Sequence, residues 1–162
     1  MNKQEIYAFL TEKCIPHEIT EHAAVFNMEE VSHLDLPHPE ADAKNIFIRD
    51  KRSGNYYLIT VKGTKRVDLK RFRQMQGTGP LVFASAEDLM AILGLIPGSV
   101  TPLGLLNDTE RQVRFFLDRA FLEDEGLIGV HPNENDATVW MQAEDLLTII
   151  RQHGNPVEMI PI

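Results

Sequence analysis

The stretch AKNIFIRDKRSGNYYLITVK, residues 43–62, decides how this chain folds. AKNIFIRD and NYYLITVK are alternating runs rich in β-branched and aromatic side chains, and the polar turn KRSG separates them. That pattern predicts two antiparallel strands joined as a hairpin. Downstream, Gly63 and Thr64 turn the chain into VDLKRFRQMQG, a helix with Asp68 at its cap and Leu69, Phe72 and Met75 facing inward. LVFA reads as a strand. SAEDLMAILG reads as a helix opened by Ser85, with Asp88 three residues on, and closed by Gly94. QVRFFLD, LIGVH and TVWMQ alternate as strands, and AEDLLTIIRQHG is a final helix ending at Gly154.

Upstream of the hairpin, Ile6, Phe9, Leu10 and Cys14 recur at the spacing of one helix face, with Asn2 and Glu5 suited to a capping box. Pro16 ends that helix and HEIT follows as a short strand. Asn27 can cap a short helix carrying Val31 and Leu34, and HLDLPHPEAD reads as loop. Strands and helices interleave without a regular βαβ period, so the expected class is α+β with a mixed, largely antiparallel sheet. At 162 residues and 43% hydrophobic content, without linker or repeat, residues 1–162 are expected to form one domain with its own core.

The net charge of −8 disfavours a non-specific nucleic-acid binder, but its distribution is uneven. Residues 1–43 hold 2 basic and 9 acidic groups, residues 44–73 hold 10 and 2, and residues 74–162 hold 4 and 13. The core of the basic segment, KGTKRVDLKRFR, brings Lys62, Lys65, Arg66, Lys70, Arg71 and Arg73 against a single Asp68. It is either solvated helix surface or a phosphate-facing patch. A single cysteine excludes a disulfide framework or a cysteine-based zinc site. No signal-peptide core or membrane-length apolar run is present, so a cytoplasmic protein without a membrane partner is expected.

Chemistry-bearing patterns are few. Pro97 to Pro102, PGSVTP, is a loop stiffened by two prolines, with Gly98 permitting a conformation that a Cβ would forbid. It is either a tight connector or a device that aims successive N–H groups at a carbonyl oxygen or phosphate. Lys44 opens its strand after an acidic loop, either solvated or placed to hold a phosphate or polarise an ester, with Asn45 beside it. His131 ends LIGVH, either as a turn residue or as a group that orients substrate or relays a proton. His33, Asp35, His38, Glu40 and Asp42 lack any metal-ligand spacing, so no metal is expected there. Cys14 on the apolar helix face is expected to be buried and inert. No serine elbow, P-loop or dinucleotide fingerprint occurs.

Taken in order, KNIFIRD, YYLITVKGTKRVDLKRFR, LVFASAEDLMAILGLIPGSVTPLGLLND and VHPNENDATVWM closely resemble the freestanding prolyl-tRNA editing proteins. These form the ProX/PrdX branch of the YbaK superfamily, related to the editing insertion of bacterial prolyl-tRNA synthetases. The resemblance runs from about Glu18 to His153. It implies a pseudo-barrel mixed sheet flanked by helices, and hydrolysis of mischarged alanyl-tRNA(Pro), with cysteinyl-tRNA(Pro) or a non-catalytic tRNA- or synthetase-binding role as alternatives. Lys44 matches the family's lysine, Gly98, Ser99, Val100, Thr101 and Pro102 its G-x-x-x-P loop, and His131 its pocket histidine. Asn45 completes the usual KN pair, and Asp118 in FFLDRAF falls near an acidic pocket position. No cofactor is implied. The implied partners are the acceptor end of tRNA(Pro) and, transiently, prolyl-tRNA synthetase; DNA is not among them. Residues 62–73 are then expected to face the tRNA.

Overall fold

Strand alternation and helix capping account for most of the architecture in the computed structural model, which describes residues 1–25, 29–30, 34–63 and 65–162. The helix starting at Asn27 falls largely outside those residues, as do His33 and Thr64. Helix α1 (Lys3–Glu12) opens with the expected capping box, in which Asn2 and Glu5 satisfy each other's backbone N–H. Strand β1 (His17–Glu21) follows. A 3-10 turn at Pro39–Ala41 leads into β2 (Ala43–Asp50), which pairs antiparallel with β3 (Tyr56–Lys62) as the hairpin. Helix α2 (Leu69–Gln76) is capped by Asp68, which accepts from the Arg71 N–H at 3.0 Å. Then come β4 (Leu81–Phe83) and α3 (Ala86–Leu93), the latter capped by Ser85 and closed by left-handed Gly94. Strands β5 (Val113–Asp118), β6 (Leu127–Val130) and β7 (Ala137–Gln142) precede α4 (Ala143–His153). The alternation read from sequence stops at TVWMQ, yet a further strand, β8 (Val157–Ile160), pairs parallel with β5.

The strands form two sheets, one ordered β1-β7-β6 and the other β4-β2-β3-β5-β8. Among the described residues, a single parallel bridge, between Asp42 and Gly129, joins them. The expected barrel therefore does not close. Pro132, just past β6, has no N–H with which to extend the pairing beyond His131. Class and mixed, helix-flanked sheet are otherwise as the sequence implied.

Two apolar clusters flank the larger sheet. Phe47, Leu58, Phe115 and Leu117 face the main core with α1, α3 and α4. Ile48, Ile59, Val61 and Phe116 face a smaller cluster sealed by Phe72 of α2. Strand β3 is buried on both faces, which is why YYLITV is nearly continuous in apolar character. Two inward assignments fail. Met75 is 49% exposed and lines a groove with Arg71 and Ile162 instead of entering the core. Cys14 is exposed, because α1 ends at Glu12 and Cys14 adopts a left-handed φ of 57° to redirect the chain.

Candidate active site

The bridge between the sheets also brings the predicted residues together. Asp42 is extended (φ −64°, ψ 139°), so its side chain and that of Lys44 leave the same face of the chain. Gly129 is its parallel partner, and His131 follows two residues later on the same face. Lys44 and His131 each lie two residues beyond the bridge. The Gly98–Pro102 loop is tied to His131 through Thr101, whose fully buried hydroxyl donates to the His131 carbonyl at 2.7 Å. The Gly98–Pro102 loop and His131, separate in sequence, are thereby held together.

The loop's geometry selects which of its N–H groups are available. Gly98 takes φ 92°, a conformation L side chains rarely adopt. The Ser99 N–H donates to the Ile96 carbonyl at 3.0 Å, and Pro102 has none. Among the described residues, the N–H groups of Gly98, Val100 and Thr101 have no carbonyl or side-chain acceptor. Ser99 lines an open cleft of about 330 Å³ with Ile96, Asn133, Glu134, Asn135 and Asp136. Lys3 closes one side of that cleft through Asp136 at 3.0 Å and Glu134 at 2.7 Å.

His131 is held as a neutral ring of defined tautomer. Its Nδ1 lies 2.9 Å from the Ala137 carbonyl, which only accepts, so Nδ1 carries the proton and Nε2 presents a lone pair. Burial lowers its pKa below the ordinary histidine value, and His22 acts in the same direction, against the Ala137 carbonyl and Asp136. The His22 ring sits 6.3 Å from that of His131. Its Nδ1 lies 2.8 Å from the Ala23 carbonyl and its Nε2 2.9 Å from the Thr138 hydroxyl. Asp42, 9% exposed, has its carboxyl pushed up to about 6 by burial, against the Ala43 N–H and His22, which favour the carboxylate. Trp140 covers the site's floor, lying over Gly129, with His38 at its edge 5.3 Å away.

Other predicted residues lie elsewhere. Asn45 leaves the opposite face of β2 from Lys44 and accepts from Thr60 Oγ1. Asp118, 1% exposed, is spent on the protein itself. It accepts from the Lys62 N–H, the Ala120 N–H and the Lys65 ammonium, the last at 2.9 Å. Lys65 is thereby drawn from the basic set. Arg66, Lys70, Arg71 and Arg73 are exposed, with no carboxylate paired to them among the described residues. Helix α2 packs over the face of β2 that carries Lys44, Ile46 and Ile48, so basic helix and site lysine share one face of the sheet. Among the described residues no three His, Cys, Asp or Glu side chains gather as a metal cluster, and no helix is long and apolar enough to cross a membrane. Asp42, His22, Thr138 and Trp140 had no local signal as site residues, because strand pairing alone unites them.

A lysine, a glycine-bent loop with unengaged N–H groups and a histidine lie around the sheet joint, on a fold that also carries a basic helix. Residues 22–149 match the aminoacyl-tRNA editing domain model, and the chain belongs to that family. It is 34% identical over 160 residues to the prolyl-tRNA editing protein ProX of Acetoanaerobium sticklandii, covering 99% of this chain and 97% of that protein. It is also 34% identical over 145 residues to the prolyl-tRNA synthetase associated domain-containing protein 1 of Bos taurus, covering 85% and 82% respectively. The fold matches the crystal structure of a candidate trans-editing enzyme for prolyl tRNA synthetase. The TM-score is 0.72 at 20% identity, over 99% of this chain and 96% of that one.

Proposed function

We propose that the protein hydrolyses the ester of mischarged alanyl-tRNA(Pro), acting in trans on tRNA released by the synthetase. The observation that supports this reading is the Thr101 bond tying the Gly98–Pro102 loop to His131, close to the sheet joint that Lys44 follows in the chain. An aminoacyl ester is already activated, so attack by water needs no covalent nucleophile. The free hydroxyl of the terminal ribose assists that water. Unengaged N–H groups of Val100 and Thr101 stabilise the developing oxyanion. Lys44 holds the terminal nucleotide or its phosphate, and His131 shapes the amino-acid pocket. Arg66, Lys70, Arg71 and Arg73 receive the acceptor end. Asn45 and Asp118 support the site from behind instead of touching the substrate.

Selectivity follows a steric argument. A synthetic site that accepts proline rejects the smaller alanine weakly, because missing methylenes are worth only about 1–3 kcal/mol. A second pocket too small for proline removes the alanyl product and spares the correct one. Trp140 and His131 are the bulky groups positioned to set that limit.

Deacylation assays with alanyl-, cysteinyl- and prolyl-tRNA(Pro) test the reading. Alanyl-tRNA(Pro) is cleared fastest and prolyl-tRNA(Pro) is spared. Preference for the cysteinyl ester would move the assignment to that substrate, and binding without hydrolysis of any ester would make the protein a tRNA- or synthetase-binding module.

A further inference from the structure

Asp42 stands apart from every other buried carboxylate near the site. Asp118 and Asp108 are buried too, but Asp118 is spent on backbone N–H groups and Lys65, and Asp108 Oδ2 accepts from the Val113 N–H and Asn155. Asp42 has neither a lysine nor an arginine within ion-pair distance among the described residues, and its own next backbone N–H is its only stabilising hydrogen bond. Ionised, a carboxylate this deeply buried with only His22 as an electrostatic partner is expensive to keep, and either proton uptake or a ligand cation compensates it. It lies on the face shared by Lys44 and His131, at the joint of the two sheets. The neutral His131 beside that joint adds a second acceptor in Nε2.

The one cation that every aminoacyl ester carries is its α-ammonium. We infer that Asp42 receives the α-ammonium of the aminoacyl group, with His131 Nε2 as a second acceptor, and so fixes the amino-acid end while Lys44 holds the nucleotide end. This inference rests on the deacylase reading above and adds a specificity element to it: the site reads a free amine as well as a small side chain. Peptidyl or N-blocked esters would be refused, which protects tRNA already carrying a growing chain.

The test compares alanyl-tRNA(Pro) with N-acetylalanyl-tRNA(Pro) in wild type and Asp42→Asn. The substitution keeps an oxygen to accept from the Ala43 N–H and buries no charge, so the fold is expected to survive. Circular dichroism and the melting temperature check it. Wild type is expected to prefer the free amine in kcat/KM on the order of 10- to 100-fold, the range for one charged hydrogen bond. D42N is expected to treat the two esters alike. A preference that persists in folded D42N, or its absence in wild type, overturns the inference. A second arm measures binding of 3′-alanylamino-3′-deoxyadenosine, a stable amide, and its N-acetyl form. If no ester is hydrolysed at all, the deacylase reading fails. The ammonium site then stands or falls on whether wild type, and not D42N, prefers the free amine in binding.

Discussion

The His131 site and the basic strip of α2 solve opposite physical problems. In the site, the polar groups are tied down before any ligand arrives: Thr101 to the His131 carbonyl, His131 to Ala137, and His22 to Thr138. Lys44, Asp42, His131 Nε2, Asn133 Oδ1 and a few loop N–H groups are among those left to meet a substrate. On α2 the arginines and Lys70 project into water with nothing fixing them. Preorganised short-range bonds in a sheltered site act with little help from mobile ions, whereas exposed charge acts over about 8 Å at physiological salt and weakens as salt rises. The difference assigns chemistry to the first region and capture to the second.

Breaking the site should produce the larger effects. Lys44→Ala is expected to reduce kcat/KM for alanyl-tRNA(Pro) by about 10²-fold or more while leaving the fold intact. Single-turnover deacylation beside circular dichroism decides it, and wild-type rates from a folded variant would remove Lys44 from its role. Thr101→Val removes the hydroxyl holding the His131 carbonyl. Stability should fall by about 1–3 kcal/mol, and kcat by roughly 10-fold with KM little changed, since a loosened site loses alignment more than affinity. Urea denaturation and steady-state kinetics report the two.

The strip should respond differently. Lys70→Glu with Arg71→Glu is expected to raise KM by roughly 5- to 10-fold at low salt, leave kcat unchanged and flatten the salt dependence of KM. The two sets separate at high salt, where the Thr101→Val defect persists and the charge-reversal defect fades. Equal salt sensitivity in both would erase the distinction between the regions.

The smallest effect concerns stability. The Asp42 carboxyl titrates near 6 in the folded protein, above its ordinary value of 3.8, so it favours the folded state at low pH and this contribution is lost as pH rises through 6. Asp42→Asn should therefore stabilise the protein by about 1–3 kcal/mol at pH 8 and by nearly nothing at pH 4. Chemical denaturation at the two pH values checks it.

Much of the fold was legible because its signals are local. The alternation of AKNIFIRD and NYYLITVK, the caps at Asn2, Asp68 and Ser85 and the stop at Gly94 each act within a few residues. Helical spacing shows which side chains share a face but neither whether anything covers that face, as at Met75, nor where the helix stops, as at Cys14, so it places both inside when both are exposed. Lys44, the Gly98–Pro102 loop and His131 could be singled out, as local oddities and through the family resemblance. Asp42 was visible only as one acid in a polar loop, and His22 not at all. Their meaning depends on one bridge between Asp42 and Gly129, 87 residues apart in the chain by subtraction of their numbers. Asp118 carried the reverse difficulty: FFLDRAF cannot disclose that its carboxylate will be consumed by Lys65 and the backbone.

Parallel deacylation of alanyl- and prolyl-tRNA(Pro) by the wild-type protein tests the central claim most directly. The account predicts alanyl-ester hydrolysis well above the spontaneous rate, with the prolyl ester cleared at least about 10²-fold more slowly, as a size-excluding second sieve requires. Alanyl-tRNA(Pro) decaying no faster than without protein, or both esters decaying at the same rate, would contradict it.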